Sequence, residues 1–385
     1  MGCENNQATK TVLTFIIKSS GGKYIDVVAR VPVSNLTAEF IYAQYEVIMK
    51  SLWEVGFTVV ALSENNHTAN RNFYDKLLCS GERKTSIPHP QEETKKIHLT
   101  FDPVHNFKNI YNCFQRVEVL ECPSTLGRSE TLRPNFVHLK EIHFKESHFK
   151  VKQGHKLTLK AFNPTNLEET NVKLADAVFH ESSIGALKYY SKKDNRPEFK
   201  DTAEFSEFVR TMWNILNVKT PGFGYEKRDE LRELISEKRK LGLSFLRDFV
   251  DFLVECQNSK ASGLTAETFL ATKQRCLTAA DLAEYLLLDE DFSYVLLGMF
   301  QSVPIERRFG WYRQISDCIY YINVRQILEA EKKIRILSLV KFSGMTTSEI
   351  KAVLDEDLLK VELILTNCQP DVLQELASKG ESNAL

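Results

Sequence analysis

The chain has 385 residues, 43% hydrophobic and 26% charged, with 50 Lys+Arg against 51 Asp+Glu. This balance excludes a collagen-like or wholly disordered chain and a uniformly basic nucleic-acid wrapper, though a local basic face remains compatible with it. At about 100–200 residues per domain, two or three domains are expected.

Thr11–Lys18 and Tyr24–Val31 are β-branched runs separated by Ser19-Ser20-Gly21-Gly22, which predicts a hairpin. Leu36–Val55 carries apolar residues at helical spacing. Phe57–Leu62 fits a short buried strand, Ala69–Cys79 a helix, and Ile97–Phe101 another strand beyond a polar stretch, Ser80–Lys96. After Phe101 the strand signal nearly stops. Helices are expected over Val104–Gln115, Val172–Ser191, Thr202–Val218, Arg228–Glu255, Ala266–Leu288 and Val324–Val340. Thr278 with Asp281, and Thr346 with Glu349, have capping-box spacing. Pro221-Gly222-Phe223-Gly224 is a break. Asp355 to Leu385 holds seven acids against two lysines, an acidic helix and tail. A β-rich start followed by helices suggests an α/β unit interrupted or followed by an α domain.

The eight cysteines include no C-x-x-C, which points to free thiols in a reducing compartment. No stretch approaches the roughly 18 apolar residues of a membrane span. Met1-Gly2-Cys3 invites acylation, but Asn6 stands where Ser or Thr is wanted. His138, His143, His148 and His155 resemble a metal cluster at first sight. A five-residue step turns a helix by about 140°, so neighbours would not face one ion, and scattered solvent-facing histidines are expected. P-loop, G-x-G-x-x-G and G-x-S-x-G patterns are absent. Residues 82–160 carry 14 Lys/Arg against nine Asp/Glu, a surface for a polyanion or an ordinary solvated face. Asp102, at a strand end before a helix, with Lys108 and Asn109 beyond, is either a nucleotide corner or an N-cap. Glu306, beside Arg307 and Arg308, is an ion-pair partner or a catalytic acid.

In this order, Phe57–Asn70, Leu99–Asn112, Lys173–Ser183, Tyr294–Arg313 and Asn323–Arg335 resemble P-element/THAP-type DNA transposases over roughly residues 10 to 343. The resemblance implies an α/β fold: an RNase H-like mixed sheet interrupted by a large, mainly α-helical GTP-binding insertion. Three carboxylates would hold two divalent metal ions for strand cleavage and transfer. The third acid falls on Glu306. The second falls on Asn65, a degenerate position, because neighbouring Glu64 would point to the opposite strand face. For the first, only Met1–Lys10 precede the hairpin, with Glu4 as sole acid and no strand pattern. A site short of two charges would hold Mg²⁺ weakly. Asp102, Lys108 and Asn109 are carried over as GTP-binding candidates. The family's zinc-coordinating DNA-binding domain has no counterpart in the cysteine pattern.

The expected organisation is an N-terminal RNase H-like part over 1–101 lacking its first strand, and a helical insertion over 102–290. The RNase H-like fold is completed over 291–345, and 346–385 forms an acidic tail. The resulting expectation is a transposase-derived protein, inactive for DNA cleavage and strand transfer, that retains GTP binding. The rival is a co-opted interaction or scaffold module without nucleotide or DNA chemistry. Expected partners are DNA through 82–160, and an oligomer with itself or a full-length transposase. A nuclear, non-membrane, non-secreted setting goes with that reading.

Overall fold

The computed structural model describes residues 3–4, 7–8, 11–21, 24–123, 131–258, 263–316 and 321–343. The Thr346–Glu349 capping box and the acidic tail lie outside them. The chain divides into two compact units, one formed by Met1–Ile48 with Val303–Leu385, the other by Met49–Ser302.

The discontinuous unit starts with a hairpin, β1 (Thr11–Lys18) antiparallel to β2 (Ile25–Val33), with one register shift between Phe15 and Ile16. Ahead of it, where no strand pattern was expected, Cys3–Glu4 pairs with Gln7–Ala8. Helix α1 (Ala38–Glu54) follows and runs on into the second unit. After a long interval come α12 (Val303–Ile315) and α13 (Val324–Ser343). Val12, Tyr312, Ile322, Ile327 and Ala330 form the apolar core of this unit.

A carboxylate joins that core. Glu331 of α13 is 1% exposed. It accepts from Arg308 Nε (2.9 Å) and Nη2 (2.7 Å), from Arg335 Nε (3.3 Å) and from the Tyr312 hydroxyl, and Arg30 Nη1 lies 3.3 Å away. A buried charge is tolerable only with such pairing.

In the continuous unit, β3 (Ala61–Glu64) pairs in parallel with β5 (Glu92–Phe101), and β4 (Ser86–His89) pairs antiparallel on the other side. The strand expected at Phe57 starts late. Gly56 adopts φ +90°, and Phe57 N donates back to Leu52 O (2.9 Å), so Phe57 closes helix α1 instead. Polar Ser80–Lys96 nevertheless supplies β4 and the first half of β5. The segment after β3 is a helical turn, α2 (Thr68–Asn72), widening into a π-helical stretch, Phe73–Leu78. Residues 97–102 are all buried, which makes β5 the centre of this sheet.

Beyond Phe101 helices dominate as expected, apart from a two-residue pair, Cys122–Pro123 with Thr131–Leu132. They are α3 (Pro103–Val117), α4 (Phe136–Lys145), α5 (Leu159–Phe162), α6 (Val172–Val178), α7 (Glu181–Lys193), α8 (Phe199–Leu216), α9 (Phe223–Lys227), α10 (Leu241–Asn258) and α11 (Ala266–Leu288). Val172–Ser191 is two helices, because His180 Nδ1 accepts from Ser182 N (3.0 Å) and caps a new start. Arg228–Glu255 is not one helix: only a 3₁₀ turn precedes Leu241. The segment returns close to Gly224, where a Cβ would stand 2.5 Å from Glu233 N, so only glycine fits. The Thr278–Asp281 capping box is overturned as well. Thr278 lies inside α11 and donates to Leu99 O of β5 (2.8 Å).

Aromatic rings fill the helical core. Phe107 stacks on Trp213 with centroids 4.5 Å apart, and Phe114 meets Phe136 (5.3 Å) and Phe205 (5.1 Å) edge-on. Cys79, Cys113, Cys122, Cys256 and Cys276 are buried free thiols.

Candidate functional site

Parallel strands β3 and β5 end side by side, and α3 begins at once. The carboxyl ends of parallel strands beside a helix N-terminus are where α/β folds place polar chemistry. Asp102 N donates to Glu64 O (2.8 Å), which ties the two strand ends together.

Asp102 is fully buried. Its Oδ2 accepts from His105 N (3.3 Å), capping α3, and its Oδ1 accepts from Ser302 N (3.1 Å). Arg275 of α11, 1% exposed, supplies compensating positive charge. Its Nη1 donates to Thr100 Oγ1 (2.9 Å) and Phe300 O (3.2 Å), and its Nη2 to Leu297 O (3.1 Å). Burial pulls the guanidinium down to about 10, with Asp102 opposing, so it stays charged at neutral pH.

Glu64 closes β3. Its Oε2 is shut off from solvent and has no hydrogen-bond partner among the described residues. Burial pushes the carboxyl up to about 8, so it is mostly protonated at pH 7. Asn65 is exposed. Its Oδ1 accepts from Asn70 Nδ2 (2.7 Å) and His67 N (3.2 Å), closing the turn into α2. The shut-off group at the strand end is therefore Glu64, and the Asn65 oxygen is engaged locally.

Lys108 and Asn109 lie on α3; Lys108 is 8% exposed and Asn109 half-buried. Between them and the cap, Asn106 donates to Ala271 O (3.2 Å) and leaves its own Oδ1 buried without a partner. Glu306 is exposed in the first turn of α12, in the other unit. His138 is buried rather than solvent-facing, with its Nδ1 2.8 Å from Thr202 Oγ1. His143 rests on Phe162 and His155 on His180, so these histidines are spread over separate surroundings.

Much of the basic surplus of 82–160 is neutralised in the fold. Arg83 pairs with Asp75, Lys95 with Glu290, Lys140 with Glu118, Lys145 with Asp194 and Lys160 with Glu168. Four of those acids lie outside the window.

Sequence reasoning missed Arg275 and set Glu64 aside. No local pattern marks the first, since Arg275 follows Lys273 by two residues in a stretch of mixed polarity. Extending the Phe57–Leu62 strand by two residues would have found the second.

Among the described residues, no helix is long and apolar enough to cross a membrane. Residues 104–225, from the first turn of α3 into α9, match the family model described as TNP-like, GTP-binding insertion domain. No curated protein sequence matches the chain. Among solved structures, the chain is similar to the Drosophila P element transposase strand transfer complex. The TM-score is 0.70 at 16% identity, covering 85% of this chain and 70% of that one. At that identity the likeness speaks for the fold. The chain thus has an α/β fold similar to that of the P element transposase, and its residues 104–225 match the TNP-like, GTP-binding insertion domain model.

Proposed function

We propose that this protein binds a guanine nucleotide through residues 104–225, associates with DNA in the nucleus, and does not itself cleave or transfer strands. The match of residues 104–225 to a GTP-binding insertion domain is the observation that carries the nucleotide reading. Asp102 does not fit a direct guanine contact, because both its oxygens already accept from backbone amides. Its part is to hold the first turn of α3, and Lys108 and Asn109 are the contact candidates on that helix. When bound, the nucleotide would act as a structural cofactor. Lys108 would supply charge, and the α3 cap would keep it in place.

The absence of cleavage rests on the acids. Two-metal strand transfer needs ionised carboxylates able to reach the ions. Asp102 is occupied by two backbone amides, and Asn65 carries no charge. Glu306 alone is an exposed acid of the expected kind.

Titration of the full chain with GTP tests the first half. Saturable binding is expected, weakened about 10- to 100-fold by Lys108→Ala, the range of a charged hydrogen bond. No saturable binding by wild type ends the nucleotide reading. Incubation with labelled duplex DNA and Mg²⁺ or Mn²⁺ tests the second half. Intact DNA is expected, whereas robust cleavage lost on Glu306→Ala would overturn it.

A further inference from the structure

The insertion domain holds a basic loop whose shape is set from within. The loop follows α4 and runs from Glu146 to Lys156. Glu146 is 1% exposed, and its side chain points inward. Oε1 accepts from Gln153 N (3.0 Å) and the Tyr190 hydroxyl (3.0 Å), and Oε2 accepts from Gly154 N (2.9 Å). The loop is closed further by Phe149 N donating to Glu146 O (3.0 Å) and Leu157 N donating to Gly154 O (3.0 Å). The one acid of the segment is thus spent on its backbone, while Lys150, Lys152 and Lys156 face outward or lie half-exposed. Among the described residues none of the three has a carboxylate at ion-pair distance, unlike Lys140, Lys145 and Lys160 on either side. Phe149, 46% exposed, and Val151, 85% exposed, sit between the lysines.

We propose that this loop is the surface through which the insertion domain grips a nucleic-acid backbone. Lys150, Lys152 and Lys156 contact phosphates, and Glu146 acts as the positioning residue. The proposal rests on the reading that the protein associates with DNA. Three cations held in one ordered loop release counterions without first paying the entropy of ordering the loop, and exposed Phe149 offers a face to a sugar or an unpaired base. The rest of residues 82–160 lacks this combination, because most of its cations are already matched.

The test is salt-dependent binding of the full chain to a labelled duplex, followed by anisotropy. Replacing Lys150, Lys152 and Lys156 by Gln should flatten the log–log salt slope by about 2.7, at roughly 0.9 per phosphate contact. Gln at the paired Lys140 and Lys160 should leave it unchanged. Glu146→Gln removes a negative charge, which alone would strengthen DNA binding. If Glu146 positions the loop, binding weakens instead, while circular dichroism and Tm of the variant verify the fold. An unchanged slope in the triple variant, with DNA binding retained, overturns the loop proposal alone. No binding by wild type at 50 mM salt overturns the DNA reading and the loop with it. Displacement of DNA by free GTP, with GTP binding lost in the triple variant, would make the loop a nucleotide site and overturn the proposal too.

Discussion

The two compact units are held by different chemistry. In the continuous unit, rings from α3, α4 and α8 interlock around Phe114, and shape does the work. In the discontinuous unit, segments separated by some 270 residues meet over a small apolar core. Four groups from β2, α12 and α13 then converge on Glu331. Apolar contact rewards any close approach, whereas a buried carboxylate is stable only when every partner arrives. That requirement picks out one pairing of distant segments, at a cost in desolvation that a local helical core does not bear.

Four changes would sharpen or break this contrast. Phe114→Ala should have the largest effect, about 3–5 kcal/mol off the unfolding free energy in urea, since the rings around it cannot all collapse into the space. Glu331→Ala should cost about 3 kcal/mol or more by leaving the arginines unpaired. Replacing Glu331 and Arg308 together by Leu and Met should recover most of that loss. If the double variant is as unstable as the single, charge pairing is not what closes the discontinuous unit. Asp102→Ala should cost about 1–2 kcal/mol, through loss of the α3 cap and of the Ser302 amide's acceptor.

The smallest and most specific effect concerns Glu64. Its folded carboxyl titrates near 8, against an ordinary value of 4.5. The folded state therefore holds a proton that the unfolded state has released. The associated stability is fully present below about pH 4.5 and is lost as pH rises through about 8, at up to about 1.4 kcal/mol per pH unit. Arg275, buried beside the same strand ends, keeps its charge across this window. Glu64→Gln should flatten that slope in denaturation curves taken from pH 5 to 8. An unchanged slope would mean that Glu64 is ionised in the folded protein.

The sequence was most legible where local pattern and fold agree. The hairpin, α11 and the acid at the end of β5 follow from periodicity and turn chemistry. It was least legible where tertiary contacts override local preference. Ser86–His89 and Glu92–Lys96 lie in a polar stretch, yet they form strands because β4 and β5 pair with each other. Thr278 looks like a helix start, but its hydroxyl serves a strand carbonyl from mid-helix. The distinction between Glu64 and Asn65 turned on where β3 stops, since one residue of register exchanges the two strand faces. Arg275 could not be assigned at all, because its partners are backbone groups from Thr100 to Phe300 that no linear motif joins.

The discontinuous unit also has a consequence in time. During synthesis β1 and β2 leave the ribosome early, but α12 and α13 follow only after some 270 further residues. At about 5–20 residues per second the hairpin waits roughly 15–55 seconds for the helices that complete its core. The continuous unit can finish folding in that interval. Until Glu331 emerges, Arg30 has no buried carboxylate to meet, and Val12 no core to enter. The newborn hairpin is therefore the segment of this chain with the greatest need of a chaperone.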